Sequence, residues 1–251
     1  MDINHSETEP FALDNYRRSP NRGAGASRPK RNYTSPQGEI YFKFGITNNE
    51  ICAELFSYDL AKQLEIDVAV TRLAEAGGVV GVASHDNGGY EEIDDKLSYS
   101  VKDYAHIPGV IEMCMFDYLI MNEDRHAGNW GINDGKVAPL FDHNYAFGGE
   151  TPITDVDYWM RTVTTSFYVT DENMQRHDTI LEYLTMQHFE QVMAFMKKLN
   201  KIKPVANPLW AYHFKDECEH LNKILSARVR YMVGKVGEYN AKQNLSDELP
   251  K

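Results

Sequence analysis

At 251 residues, 42% hydrophobic and 12% aromatic, the chain can fill one sizeable core or two small lobes sharing a cleft, which excludes a disordered chain. Its net charge of −11 argues against general affinity for nucleic acid backbones. Cys52, Cys114 and Cys218 form an odd, widely spaced set without a C-x-x-C pair, which argues against a disulfide scaffold or a zinc ribbon.

No apolar run approaches the ~20 residues that span a bilayer. The start, Met1-Asp2-Ile3-Asn4-His5, has neither a basic nor an apolar signal region. A cytoplasmic protein with no membrane partner and no direct nucleic acid binding is expected, and secretion by a signal-less route stays open.

Residues 1 to about 30 are polar and rich in Pro, Gly, Ser and Arg, and are expected to be an irregular, flexible segment. Within it, Arg17, Arg18, Arg22, Arg28, Lys30 and Arg31 occur with no acid among them. Such a run by itself is a solvated basic tail. The embedded stretch Gly23-Ala24-Gly25-Ala26-Ser27 adds close backbone approach, which flanking cations make suitable for a polyphosphate.

Glu39-Ile40-Tyr41-Phe42-Lys43-Phe44 reads as a strand, and residues 49–64 as a helix with Ile51, Leu55, Tyr58, Phe56, Leu60 and Leu64 at helical spacing. Two more strands are expected at 67–73 and 78–83, joined by a turn at Glu75-Ala76-Gly77-Gly78. His85-Asp86-Asn87-Gly88-Gly89 is a breaker and the expected hinge. Beyond it, 110–121 is apolar on nearly every side, as a buried helix is. A hairpin follows, with Trp130-Gly131-Ile132 and Lys136-Val137-Ala138 flanking Asn133-Asp134-Gly135. Amphipathic helices are expected over 180–199 and 213–239. The order is α+β and bilobal: a small β-rich N-lobe at 31–85 with one helix, then a larger helical C-lobe at 86–251.

The densest polar cluster, Asn122-Glu123-Asp124-Arg125-His126-Ala127-Gly128-Asn129, directly follows the most apolar helix, a rigid base for reactive side chains. The hairpin places Asn129 and Asp142 at the two open ends of one ribbon, whose strands lie about 5 Å apart. A carboxamide and a carboxylate converging there suit Mg²⁺, which keeps some waters and otherwise takes phosphate oxygens. Asp124 is close enough to orient a hydroxyl.

Asp124 to Asn129, followed by Ala138-Pro139-Leu140-Phe141-Asp142, resembles the catalytic and metal-binding segments of HipA-like serine/threonine kinases. The D-x-x-x-x-N spacing is also that of protein-kinase catalytic loops. Gly25-Ala26-Ser27-Arg28-Pro29-Lys30 resembles that family's glycine-rich loop, Tyr41-Phe42-Lys43-Phe44 its lysine-bearing strand, and the helix opening at Glu54 the carrier of the lysine's carboxylate partner. The resemblance covers roughly residues 23 to 148 and implies a kinase-like fold, ATP as phosphate donor and Mg²⁺ as cofactor. It assigns Lys43, held by Glu54, to the α- and β-phosphates. Gly23, Gly25 and Ser27 fall to the phosphate loop, the backbone of Ala83 and Ser84 to the adenine edge, and Asn129 and Asp142 to the metal. Asp124 becomes the catalytic residue, with Arg125 and His126 supporting, the latter by a hydrogen bond to the loop or to Asp142. It also implies a protein substrate and a helix-turn-helix antitoxin-like repressor as partner. The loop departs from a full G-x-G-x-x-G, and almost no room precedes Gly23 for the N-terminal subdomain of the full toxins, so a compact relative is expected.

Other readings use the same residues. A phosphoinositide-kinase-like lipid kinase also has a D-R-H-x-x-N loop, but residues 150–170 lack the cations of a membrane-facing segment. A nucleotide-binding pseudokinase or interaction module would keep the fold without turnover. A metal-dependent phosphohydrolase would draw on His85-Asp86 or His177-Asp178.

Overall fold

The computed structural model describes residues 9–20, 28–86, 89, 91–93, 100–155, 164–170 and 173–247. Gly23, Gly25 and Ser27 lie outside the described residues, as do positions 87–88 of the expected hinge.

Strands β1 (Phe11–Ala12), β2 (Arg17–Ser19), β3 (Lys30–Ser35), β4 (Gly38–Phe44), β5 (Thr71–Ala76) and β6 (Val79–His85) form one sheet. Its order is β1-β5-β6-β4-β3-β2. β1 runs parallel to β5, and every other pairing is antiparallel. Alternation along the central strands divides residues between two faces. Ile40, Phe42, Ala74, Ala76 and Ala83 turn to one side and bury with Leu13 and Tyr33. Leu73 and Val82 turn to the other and join the main core under helix α1 (Asn48–Gln63).

Thr47 opens α1 through a capping box, in which its hydroxyl accepts from Glu50 N while the Glu50 carboxylate accepts from Thr47 N. The larger part begins with the short pair partner β7 (Glu91–Glu92) and α2 (Val101–Tyr104), and is built on α3 (Val110–Ile120), a helix buried almost all round. α3 ends where Met121 adopts a left-handed φ of 53°. β8 (Gly131–Asn133) and β9 (Lys136–Val137) then form the expected hairpin, turning through Asp134 (φ 50°) and Gly135 (φ 74°), both left-handed as a two-residue primed turn needs. A second hairpin, β10 (Thr164–Thr170) with β11 (Asn173–Arg176), precedes α4 (His177–Gln187), α5 (Phe189–Leu199), α6 (Pro208–Ala211) and α7 (Lys215–Asp247). Among the described residues no helix is long and apolar enough to cross a membrane.

The structure corrects several expectations. Residues 9–20, expected to be irregular, extend both edges of the sheet, with Leu13 fully buried and its N–H donating to Glu75 O at 2.8 Å. The strand expected at 67–73 starts later, at Thr71, because Asp67 to Ala69 instead bond to Leu140: Leu140 N donates to Asp67 O and Ala69 N to Leu140 O. This ties the small sheet to the segment leading into Asp142. The helix expected over 180–199 is broken at His188, which lets the apolar stripe of Leu181 and Leu184 and that of Val192, Phe195 and Met196 both bury with α3.

Gly81 on β6 sits where a Cβ would come within 2.0 Å of Lys43 O on the neighbouring strand β4. Gly81→Ala is expected to lower stability by about 1–3 kcal/mol through overpacking. Gly234→Ala in α7, where a Cβ meets nothing within 4 Å, is expected to raise it by about 0.4–1 kcal/mol. Urea titrations of the two variants check the contrast.

Candidate active site

Lys43 leaves β4 on the face opposite Phe42 and Phe44 and is only 6% exposed. Its ammonium donates to the Glu54 carboxylate of α1, to Asp142 Oδ1 at 2.6 Å and to Asn144 Oδ1 at 3.4 Å. Burial works against the charged lysine, but Asp142 and Glu54 outweigh it and raise the Lys43 pKa above its ordinary value. Glu54 uses its second oxygen to accept from His143 N at 3.0 Å, so one carboxylate fixes both the lysine and the backbone beside Asp142. Asp142 adopts a left-handed φ of 59°, uncommon for a non-glycine residue. Burial alone would push its carboxyl up; Lys43 above all, then Lys30, hold it down at about 2. Asp142 is thus a fixed anion at neutral pH.

Asp124 follows α3 in a loop organised by Arg125. That side chain is fully buried and forks onto Asp117 of α3, Nε to Oδ2 at 2.9 Å and Nη2 to Oδ1 at 3.0 Å. Its Nη1 reaches Asn129 O at 2.6 Å and Phe141 O at 2.8 Å. One guanidinium therefore joins the residue bearing one candidate metal ligand to the residue next to the other. Asn122 steadies the arrangement, donating to Asp117 Oδ1 at 3.0 Å and accepting from Asp124 N at 3.2 Å.

Asn129 Nδ2 donates to Asp124 O at 2.7 Å and Asp124 Oδ2 at 3.2 Å, which leaves the carboxamide oxygen as the end able to face a cation. Burial raises the Asp124 pKa; His126 pulls it back and Asp142 adds to the rise, so Asp124 is the better proton acceptor of the two acids. Among the described residues no cluster of three or more His, Cys, Asp or Glu is placed to hold a metal by itself. One carboxylate plus one carboxamide fits an ion that draws its remaining ligands from water and phosphate.

His126 is half exposed and bonds within the loop, its Nδ1 accepting from Gly128 N at 3.0 Å and its Nε2 lying 3.8 Å from Asp124. Of the two partners expected for it, the structure shows the loop. Ala83 and Ser84, expected at the adenine edge, lie near the end of β6. β6 continues to His85, so both lie in a strand paired on each side, with β4 and with β5. Their backbone groups are used in the ladders, the Ala83 side chain is buried on the outer face, and the Ser84 hydroxyl lies 3.4 Å from that of Thr71. His85 N and Asp86 N are likewise engaged, by Val70 O and Glu39 O. The phosphohydrolase pairs do not converge: Asp178 accepts from Tyr118 and Tyr231 in the helical core, far in sequence and element from His85 at the end of β6.

Asp117, His143 and Asn144 escaped the sequence reasoning, and Lys30 entered it only as part of the glycine-rich basic segment. Asp117 sits inside an apolar helix, five residues from Glu112 on one side and from Asn122 on the other, and that isolation was the available signal. At the far end of the glycine-rich segment, Arg28 Nε pairs with Glu50 at 2.8 Å and Nη2 with Glu150 at 2.9 Å.

No protein-family model and no curated protein sequence matches this chain. Solved structures do. The Helicobacter pylori proinflammatory kinase CtkA superposes with a TM-score of 0.62 at 16% identity, over 97% of this chain and 100% of that one. HipA of Shewanella oneidensis MR-1, solved in a toxin–antitoxin complex with HipB and operator DNA, gives 0.56 at 14% identity, over 88% and 67%. The chain has the HipA-like kinase fold. A β-rich sheet carrying Lys43, one helix carrying Glu54 and a helical part carrying the loop and hairpin are arranged as that resemblance implied.

Two measurements test the site's construction. Arg125→Ala leaves Asp117 buried without its partner and is expected to cost about 3–5 kcal/mol in urea unfolding. Asp142, depressed to about 2 from an ordinary 3.8, contributes stability that is present above about pH 4 and is lost as pH falls through its folded value. Asp142→Asn is therefore expected to melt below the wild type at neutral pH, with the gap closing between about pH 4 and pH 2.

Proposed function

We propose that this chain is an ATP-dependent serine/threonine protein kinase of the HipA-like type, transferring the γ-phosphate of ATP to a protein hydroxyl. The observation that carries it is the buried Lys43 ammonium held between Glu54 and Asp142, beside a loop in which Asn129 is bonded to Asp124. Phosphoryl transfer needs positioned charge more than covalent chemistry, and this arrangement supplies positioned charge.

Lys43, kept cationic and oriented by Glu54, binds the α- and β-phosphates. Asn129 and Asp142 hold Mg²⁺, which neutralises charge on the phosphate oxygens when bound. Asp124 orients the acceptor hydroxyl and takes its proton, a role that suits a carboxylate whose proton affinity is raised. Arg125 holds this geometry from behind. Gly23, Gly25 and Ser27 cover the phosphates by their place in the chain before β3. A protein is the acceptor, and a helix-turn-helix antitoxin-like repressor is the partner suggested by the HipB complex of the Shewanella protein. A pseudokinase is less well supported, because Lys43, Glu54, Asp124, Asn129 and Asp142 are all present.

Mg²⁺-ATP at about 100 times its Kd is expected to stabilise the protein by ~2.7 kcal/mol, a shift of roughly 5–10 °C in Tm. Lys43→Ala is expected to abolish that shift. Asp124→Ala is expected to keep it while lowering transfer of labelled phosphate by a factor on the order of 10²–10⁴. The raised Asp124 pKa means that its ionised form costs stability as pH rises through the folded value, so this variant should melt no lower than wild type at neutral pH. Full transfer activity in Asp124→Ala would remove Asp124 from its role.

A further inference from the structure

The pleat of the small sheet divides the basic run near the N-terminus. Along β3, Lys30 and Asn32 turn to the face that carries Lys43, while Arg31 and Tyr33 turn to the outer face. Register extends the division to β2. Arg18 stands directly opposite Tyr33 and shares the outer face, whereas Arg17 and Ser19 stand opposite Thr34 and Asn32 on the other. Arg18 and Arg31 are therefore diagonal neighbours on two paired strands, about 7 Å apart.

This corner holds cations without a counter-charge. From Asn15 to Gly38 the chain has no acidic residue. β4 adds one, Glu39, which lies opposite Thr34 on the other face and accepts from the Ser19 and Thr34 hydroxyls at 2.8 and 3.2 Å. Among the described residues neither Arg18 nor Arg31 pairs with a carboxylate. Arg31 is also held in place. Its guanidinium lies 4.3 Å from the centroid of the Phe44 ring, and Phe44 stacks on Phe42 at 5.7 Å with 17° between the planes. A guanidinium set over a ring keeps its N–H edge open for a carboxylate fork.

The same features select among ligands. The rings of this corner are taken: Phe42 is fully buried, Tyr33 is 6% exposed and Phe44 has Arg31 over it. A nucleic acid needs open rings and a longer track of cations. A second copy would bring the same arginines to the same edge and be repelled. β2 ends the sheet, so its outward backbone groups face no further strand among the described residues. An extended peptide can add there, its backbone giving affinity and its side chains selectivity.

We propose that the β2–β3 corner docks an acidic, extended segment of a protein partner, which lies along β2 and places carboxylates on Arg18 and Arg31. The contact lies on the face away from Lys43, outside the cleft. Arg72 supplies an internal control. It shares a cross-strand row with Arg31, through Phe42 and Ala83, three strand spacings or about 14 Å away. It too lies over a ring, 5.4 Å from that of Phe11, but it lines a cleft with Glu9 and Asp59 and so has acids around it.

Fluorescence anisotropy of labelled oligo-glutamate, titrated with the full chain, tests the surface against oligo-glutamine and oligo-thymidylate of matched length. Oligo-glutamate is expected to bind, with an affinity that falls as salt rises, and oligo-glutamine is expected not to. Arg18→Gln and Arg31→Gln are each expected to weaken binding about tenfold, the scale of one charge-assisted hydrogen bond. Arg72→Gln, an equal loss of charge on the same face, is expected to leave it nearly unchanged. Arg31→Lys, which keeps the charge and loses the fork, is expected to recover part of the affinity. Arg18 is exposed, so its variant reports on the surface even where replacing Arg31 disturbs the Phe44 packing. A wild-type chain that does not bind oligo-glutamate overturns the proposal. So does an equal loss in Arg72→Gln, the mark of general charge attraction. Oligo-thymidylate bound as tightly as oligo-glutamate, with the same dependence on Arg18 and Arg31, assigns the corner to nucleic acid and overturns the peptide.

Discussion

A single buried ammonium organises this molecule. Lys43 is held by carboxylates from two elements that are remote in sequence, Glu54 on α1 and Asp142 beyond the hairpin. Taking three charges out of water is expensive, and such a cluster is weak as a source of stability. It is strong as a device for register, because removing any one partner leaves the others buried and uncompensated. The buried polar face of α1 extends the same logic: Asn49 donates to Gly149 O, Glu50 meets Arg28 and Asn144, and Glu54 meets Lys43 and His143. Helix α1 is thus the piece against which the stretch from Asp142 to Glu150 is set.

A second buried cation does the corresponding work on the other side. Arg125 forks onto Asp117 and uses its remaining donors on the carbonyls of Asn129 and Phe141. The planar guanidinium suits this better than an ammonium, since its five donors point in fixed directions. Neither Arg125 nor Asp117 needs to touch a substrate to matter; both set where Asp124, Asn129 and Asp142 lie. Sequence reasoning placed Arg125 in the right loop and left its task open, because its partner stands on α3 and its remaining acceptors are backbone oxygens, which no residue pattern displays.

What could be read in advance was local. The alternation around Lys43, the helical spacing of α1, the apolar run of α3 and the Asn-Asp-Gly turn each encode their element within a few residues, and the D-x-x-x-x-N spacing lies inside one loop. What escaped depends on partners distant in the chain. β1 has only two residues and exists because Glu75 accepts from Leu13 N. The break at His188 has no proline or glycine to announce it and follows from two apolar stripes sharing α3. β6 runs two residues past its expected end, which puts Ala83 and Ser84 inside the ladder. Lys30 was visible as a basic residue, but only the register shows that it faces Lys43 rather than solvent.

Charge also has to be reconciled across scales. A chain of net charge −11 repels a nucleotide triphosphate at long range, yet screening at physiological salt confines that repulsion to about 8 Å. Within that distance the cleft's own composition decides. Lys30 and Lys43 project from adjacent strands and meet Glu54 and Asp142, so cations and anions are close to balance there. Beyond α1 the balance turns acidic: Glu150, Asp216 and Glu217 line one groove with Asn48 and Asn49. Arg28 reaches from the first region to the second through Glu150. The acidic excess of the whole chain and the near balance of charge in its cleft are therefore not in conflict, because they act over different distances and on different sides of the same helix.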